Sequence, residues 1–160
     1  MEEAPRTVYD VAVIGAGPAG AQAAVSAAHQ MRHVLVLHAG PVSQRKGRAY
    51  WSKSVEIMDA PVFTGITGPK FMQALREWMA GQPVRTMTIA GRERLAGIDV
   101  QAGMVVRASR SAPQAGEHAP AGQLFELEVS TAPLRQDRAL AIRRFLTRTL
   151  VVASGFENFR

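Results

Sequence analysis

Residues 9 to 20 read Tyr-Asp-Val-Ala-Val-Ile-Gly-Ala-Gly-Pro-Ala-Gly, and this stretch limits the possible folds more than any other. Val11, Ala12, Val13 and Ile14 form a short, wholly apolar run, the pattern of a strand buried on both faces of a parallel sheet. Gly15, Gly17 and Gly20 follow at G-x-G-x-x-G spacing, and Ala21 to Ala28 continue as a helix of small residues. Between a buried strand and a helix, that spacing points to a dinucleotide site. Gly15 lets the chain turn sharply out of the strand. Gly17 lets a pyrophosphate approach the backbone, and Gly20 lets the helix pack closely on the sheet. The first helical amides have no internal partners and lie at the positive end of the helix dipole, so the turn suits a diphosphate. Pro18 fits the first helical turn, where its missing N–H costs nothing. The alternative is a glycine-rich turn without a ligand.

His33 to Leu37 is a second buried run, so strand, helix and strand within about thirty residues make a βαβ unit. Residues 39 to 66 read as a long irregular segment with Gly40, Pro41, Gly47, Pro61 and Gly65, in which Tyr50 and Trp51 could pack on the core or cover a bound ring. Thr67, as a cap, and Pro69 open a second helix, whose apolar face is Phe71, Met72, Leu75 and Met79. Gly81 and Pro83 end it. Residues 84 to 96 fit either an alternating strand or a short helix through Arg92 to Ala96. Beyond Gly97 the pattern is β: 98–100, 104–108, 124–129 and 141–146 are strand candidates. Residues 111 to 123 read as an exposed loop, and Thr149 to Ala153 as the last apolar run.

The 160 residues suffice for one domain with a sizeable core. No apolar run reaches membrane-spanning length, and the acidic, polar N-terminus is not a secretory signal. With no cysteine, the chain has no disulfide, thiolate metal site or dithiol redox centre of its own. Cytoplasm is therefore the expected location, with no membrane partner. The net charge of +6 comes from scattered arginines, with no recognition helix or zinc-finger spacing, so no nucleic-acid partner is expected. His29, His33 and His38 do not share a helix face, so a metal site is not expected. Asp10 reads as a surface residue ahead of the first strand, and Glu126 with Glu128 as the solvated side of a β-meander. No convincing general acid, general base or nucleophile stands out.

Taken together, three segments resemble the flavoproteins with two dinucleotide-binding domains, the pyridine nucleotide–disulfide oxidoreductases, and most closely their thioredoxin reductase-like branch. They are Val13-Ile14-Gly15-Ala16-Gly17-Pro18-Ala19-Gly20, Gly65-Ile66-Thr67-Gly68-Pro69-Lys70-Phe71-Met72 and Thr149-Leu150-Val151-Val152-Ala153-Ser154-Gly155. The resemblance implies an α/β, Rossmann-like FAD-binding domain, a parallel sheet flanked by helices with a three-stranded β-meander on one face. It implies FAD, its pyrophosphate over Gly15, Ala16, Gly17, Pro18, Ala19 and Gly20. The adenosine would lie near His38 and Ala39, with Gln44 and Ala153, Ser154 and Gly155 as further contacts. NAD(P)H would be the electron donor, and a protein disulfide or small molecule the acceptor. A homodimer is compatible with this reading.

The chain departs from that pattern in several places. His38 stands where Glu or Asp would hold the ribose hydroxyls. With Arg45, Lys46 and Arg48 it could instead suit a 2′-phosphate and make an NADP site. Ser154 replaces the usual Thr. Residues 82 to 96 look like extra length relative to compact members. Residues 1–160 read as a single FAD-binding domain, incomplete because family members continue into an NAD(P)H domain that is absent here. A nucleotide-binding module without catalysis is the other reading.

Overall fold

Val8–Ile14 form β1, and Pro18–His29 form α1. His33–His38 form β2, whose first five residues are all buried, as a strand covered on both faces should be. The structure, a computed structural model, describes residues 7–39, 56–57, 65–111, 123–131 and 141–154. Glu56–Ile57 (β3) and Ile66–Thr67 (β4) make a small antiparallel pair within the segment read as irregular. Gly68–Ala80 is α2. Five strands follow: Arg85–Ile89 (β5), Arg92–Ala102 (β6), Met104–Ser111 (β7), Leu124–Ser130 (β8) and Ile142–Val152 (β9).

The main sheet has seven strands in the order β5-β6-β2-β1-β9-β8-β7. Its centre, β6-β2-β1-β9, is parallel, and both flanks are antiparallel. On one face α1 and α2 cover Val13, Val34, Val36 and Ile98. Phe71, Leu75 and Met79 recur at helical spacing and bury the apolar stripe of α2 there, as expected from the sequence. On the other face Leu127, Val129 and Phe145 pack on Ala12, Leu35 and Leu37. The meander of β7, β8 and β9 thus folds back over the sheet, and the resemblance is right about this arrangement.

Two strands serve two partners each. The second half of β9 runs parallel to β1, from Leu146 opposite Val8 to Val152 opposite Ile14, while its first half pairs antiparallel with β8. The runs read as two strands, 141–146 and 149–153, are therefore one. Nothing between them turns the chain, and Thr147 is fully buried with its hydroxyl donating to the Thr149 carbonyl at 2.9 Å. β6 behaves alike: Arg92 to Ala96 pair with β5, and Gly97 to Ala102 with β2. Residues 85–96 are thus a hairpin, which excludes the helix through Arg92 to Ala96. Its turn, Ala90-Gly91, has positive φ at both residues (50° and 74°), the geometry that matches strand twist in a two-residue loop.

Three smaller expectations change. Thr67 stands at the N-cap of α2, yet its side chain makes no capping hydrogen bond. Asp10 lies inside β1, where it accepts from the His33 backbone N–H at 3.0 Å and faces Arg148 at 3.6 Å. Glu126 and Glu128 both face Arg144, at 3.6 and 3.1 Å. The loop at 111–123 lies largely outside the described residues, as do Tyr50 and Trp51.

The Tyr9 ring lies 4.5 Å from that of His33, centroid to centroid. Its hydroxyl donates to Asp99 at 2.8 Å; Gln101 donates to the same oxygen at 2.7 Å and accepts from Arg143 at 2.9 Å. This chain of bonds crosses from β1 to β6 to β9. Burial, then the hydrogen bond to Asp99, holds the Tyr9 hydroxyl above its ordinary pKa. Burial also holds His33 below the usual 6.5, against the opposing pull of Asp99 and Asp10. The unfolded chain therefore takes up this proton more readily than the folded one. Stability should fall as pH drops through 6.5 toward the folded-state value, with no contribution from His33 above that range. Urea midpoints between about pH 7.5 and about pH 5.5 should show this slope, and His33→Phe, which keeps a ring against Tyr9, should flatten it. An unchanged slope would remove His33 from the cause.

Candidate functional site

The carboxyl ends of β1, β2 and β9 meet at one place. The Gly15 N–H donates to the Leu37 carbonyl at 2.8 Å, and the Ala153 N–H to the Ile14 carbonyl at 2.8 Å. β1 has β2 on one side and β9 on the other, so the chain leaves it in one direction and returns from the other. A ligand crevice forms outside the strand ends at such a reversal. Residues far apart in sequence come together here: Gly15 to Gly20 at the turn, His38 and Ala39 at the end of β2, and Ala153 and Ser154 beyond β9. Gln44 and Gly155, the other two contacts implied by the resemblance, lie outside the described residues, as do Arg45, Lys46 and Arg48.

The three glycines do different work. Gly15 has φ +109°, and a Cβ there would lie 2.3 Å from the Ala153 carbonyl oxygen. At Gly20 a Cβ would lie 1.9 Å from the Gly15 carbonyl oxygen. Both therefore let backbone pack on backbone. Gly17 has ordinary backbone angles (φ −77°, ψ −174°), and among the described residues a Cβ there would meet nothing within 4 Å. The protein's own packing does not require glycine at this position. The open space lies at the N-cap of α1, where a ligand would stand.

The start of α1 suits an anion. Among the described residues no side chain caps it, and its first turn contains no acidic residue. The Ala21 N–H bonds to the Gly17 carbonyl at 2.8 Å, so helix geometry leaves the Ala19 and Gly20 N–H groups without intrahelical acceptors. Two N–H groups and the positive end of the helix dipole therefore lie at the same helix terminus as the open space at Gly17. That donor set fits the diphosphate of a dinucleotide.

His38 is half-buried at the end of β2, its carbonyl accepting from the Gly103 N–H at 3.0 Å. Burial, and then the nearby Arg76 of α2, holds its imidazole below the ordinary pKa. Neutral at pH 7, the ring can donate one hydrogen bond and accept another. Sequence reading missed Arg76. Nothing in the sequence links an exposed arginine of α2 to the end of β2, and only the packing of that helix brings the two together.

No protein-family model matches the chain, and no curated protein matches it in sequence. Solved structures do resemble it. Thioredoxin reductase from Lactococcus lactis superposes with a TM-score of 0.58 at 21% identity, over 95% of this chain and 37% of that one. A thioredoxin reductase from Gloeobacter violaceus gives 0.61 at 18% identity, over 92% and 34%. An oxidoreductase from Agrobacterium tumefaciens gives 0.61 at 19%, over 93% and 37%. The fold is a Rossmann-like α/β domain, the architecture this chain shares with these structures. The chain spans 34% to 37% of the length of these structures. Among the described residues, no helix is long and apolar enough to cross a membrane.

The glycine geometry makes the three positions separable. Gly15→Ala and Gly20→Ala should each destabilise the fold by on the order of 3 kcal/mol, through backbone overlap and, at Gly15, a strained φ. Gly17→Ala should unfold at the parent's urea midpoint. If all three variants lose stability alike, the space above Gly17 is not open.

Proposed function

We propose that this chain is the FAD-binding part of a flavoprotein oxidoreductase that takes electrons from NAD(P)H. The observation that carries this reading is the open space above Gly17, faced by the Ala19 and Gly20 N–H groups. Bound there, FAD would supply a ring that accepts a hydride and passes electrons on, so the chain itself needs no nucleophile. Its own residues bind and orient. The start of α1 holds the diphosphate, and His38 with Ala39 flanks the adenosine. Ala153 and the exposed Ser154 border the crevice on the β9 side, where the Ser154 hydroxyl can donate or accept a hydrogen bond. Gln44 and Gly155 would complete the contacts. A further NAD(P)H domain, a protein disulfide or small-molecule acceptor, a homodimer and a cytoplasmic location belong to the same reading.

A second reading is a nucleotide with a phosphate on its adenosine ribose, as in NADP. It is supported by His38 and Arg76 at the end of β2, where a ribose-binding site would have a carboxylate. FAD and NADPH titrations, followed by flavin fluorescence and by nicotinamide fluorescence, separate the two. The first reading expects FAD to bind, Gly17→Val to abolish binding without loss of fold, and His38→Glu to tighten it several-fold through the ribose hydroxyls. The second expects tighter binding of NADPH than of NADH, and expects His38→Glu to weaken it. Undiminished FAD binding by Gly17→Val would place the ligand elsewhere.

A further inference from the structure

The β5–β6 hairpin stands at the edge of the sheet, away from the glycine turn, and the cofactor reading does not use it. β5 has β6 on one side and, among the described residues, no strand on the other. The register places Arg85, Met87 and Ile89 on one face of the ribbon with Ala96, Arg94 and Arg92 opposite them. Arg85, Arg92 and Arg94 are exposed, and none makes an ion pair among the described residues. Glu93, the hairpin's one acidic residue, pairs across from Thr88 on the other face. Three guanidinium groups therefore share a surface with Met87 and Ile89 and with no carboxylate from the ribbon.

Beside this face lies a cavity of about 670 Å³ between the hairpin and the end of α1. Its wall includes Ala28, His29, Met31 and Pro83, together with four consecutive residues of β5, Arg85 to Thr88. A sheet face presents only alternate side chains. Four consecutive residues on one cavity mean that it reaches the β5 backbone, whose outer edge pairs with no strand among the described residues. Apolar surface continues around it, with Met31 46% exposed and Val84 and Ile89 each 37% exposed.

We infer that the rim of β5 binds an extended acidic polypeptide segment of a partner protein, added as a further strand. The partner's backbone would satisfy the free N–H and C=O groups of β5, which is how strand addition gains affinity. Its carboxylates would face Arg85 directly and Arg92 and Arg94 one strand, about 5 Å, further in. Its apolar side chains would cover Met31 and Val84. A second copy of this chain fits less well. Two β5 strands paired antiparallel about Met87 would put six arginines on one continuous ribbon, and like charges oppose that pairing. Nucleic acid would satisfy the arginines but not the alternating donors and acceptors of the rim.

The test uses the full chain without flavin, so that failure here leaves the cofactor reading untouched. The probe is a fluorescein-labelled peptide of alternating Glu and Val, about twelve residues long, followed by anisotropy. It should bind, weaken as salt rises, and lose about tenfold or more in affinity to the Arg85→Glu, Arg92→Glu, Arg94→Glu triple variant. N-methylation of alternate peptide amides should weaken it similarly, and a Lys-Val peptide should not bind. Circular dichroism checks that the triple variant folds, with Arg92→Gln, Arg94→Gln as the milder substitute. Absence of binding, indifference to N-methylation, or displacement by an oligothymidylate of equal charge at lower concentration would overturn the inference. So would a concentration-dependent dimer by sedimentation that the triple variant abolishes.

Discussion

The fold depends on how closely the start of α1 approaches the end of β1. With no side chain at Gly20, its Cα can stand against the Gly15 carbonyl, and a methyl group there would overlap that oxygen. Ala21, Ala24 and Ala28 extend the approach down the helix and are almost wholly buried. Two consequences follow. The helix axis lies near enough to the sheet for Val13, Val34 and Val36 to fill the space between them. Its N-terminus is also brought to the strand ends, so that its unpaired N–H groups face the crevice. One contact thus sets both the packing density and the position of the helix N-terminus proposed to hold the diphosphate.

The other face of the sheet is built on long strands with divided partners. Because β9 begins in the meander and ends beside β1, the meander is covalently continuous with the strand that lines the crevice. The bonds running from Tyr9 through Asp99 and Gln101 to Arg143 tie the same strands on that side. Ala153 and Ser154 are therefore positioned from two directions: by the parallel ladder to β1, and by a meander seated on Leu35 and Leu37.

What could be read from the sequence was the part whose physics is local. β1, α1 and β2 follow from a two-sided apolar run, glycine spacing and a helix of small residues. The stripe of α2 follows from helical periodicity, though Thr67 stands at the cap without using its hydroxyl. Harder cases depended on partners. Residues 141 to 153 form one strand because β8 and β1 each take half of it, and no local signal marks such an exchange. Asp10 resembles any surface carboxylate until the packing brings the His33 amide and Arg148 to it. Residues 84 to 96 alternate weakly because their ribbon is largely exposed, and only the pairing of Arg85 with Ala96 identifies a hairpin.

The amino-acid order alone determined the βαβ start, the glycine turn and its suitability for a diphosphate, because neighbours in sequence carry all three. The tertiary structure decided which glycine faces open space and which two are pressed against backbone, since that depends on Ala153 and on Gly15 itself. It also brought Arg76 to His38 and gathered three arginines at one end of the sheet that make no ion pair among the described residues. These are long-range facts of packing, settled only when distant segments compete for the same volume.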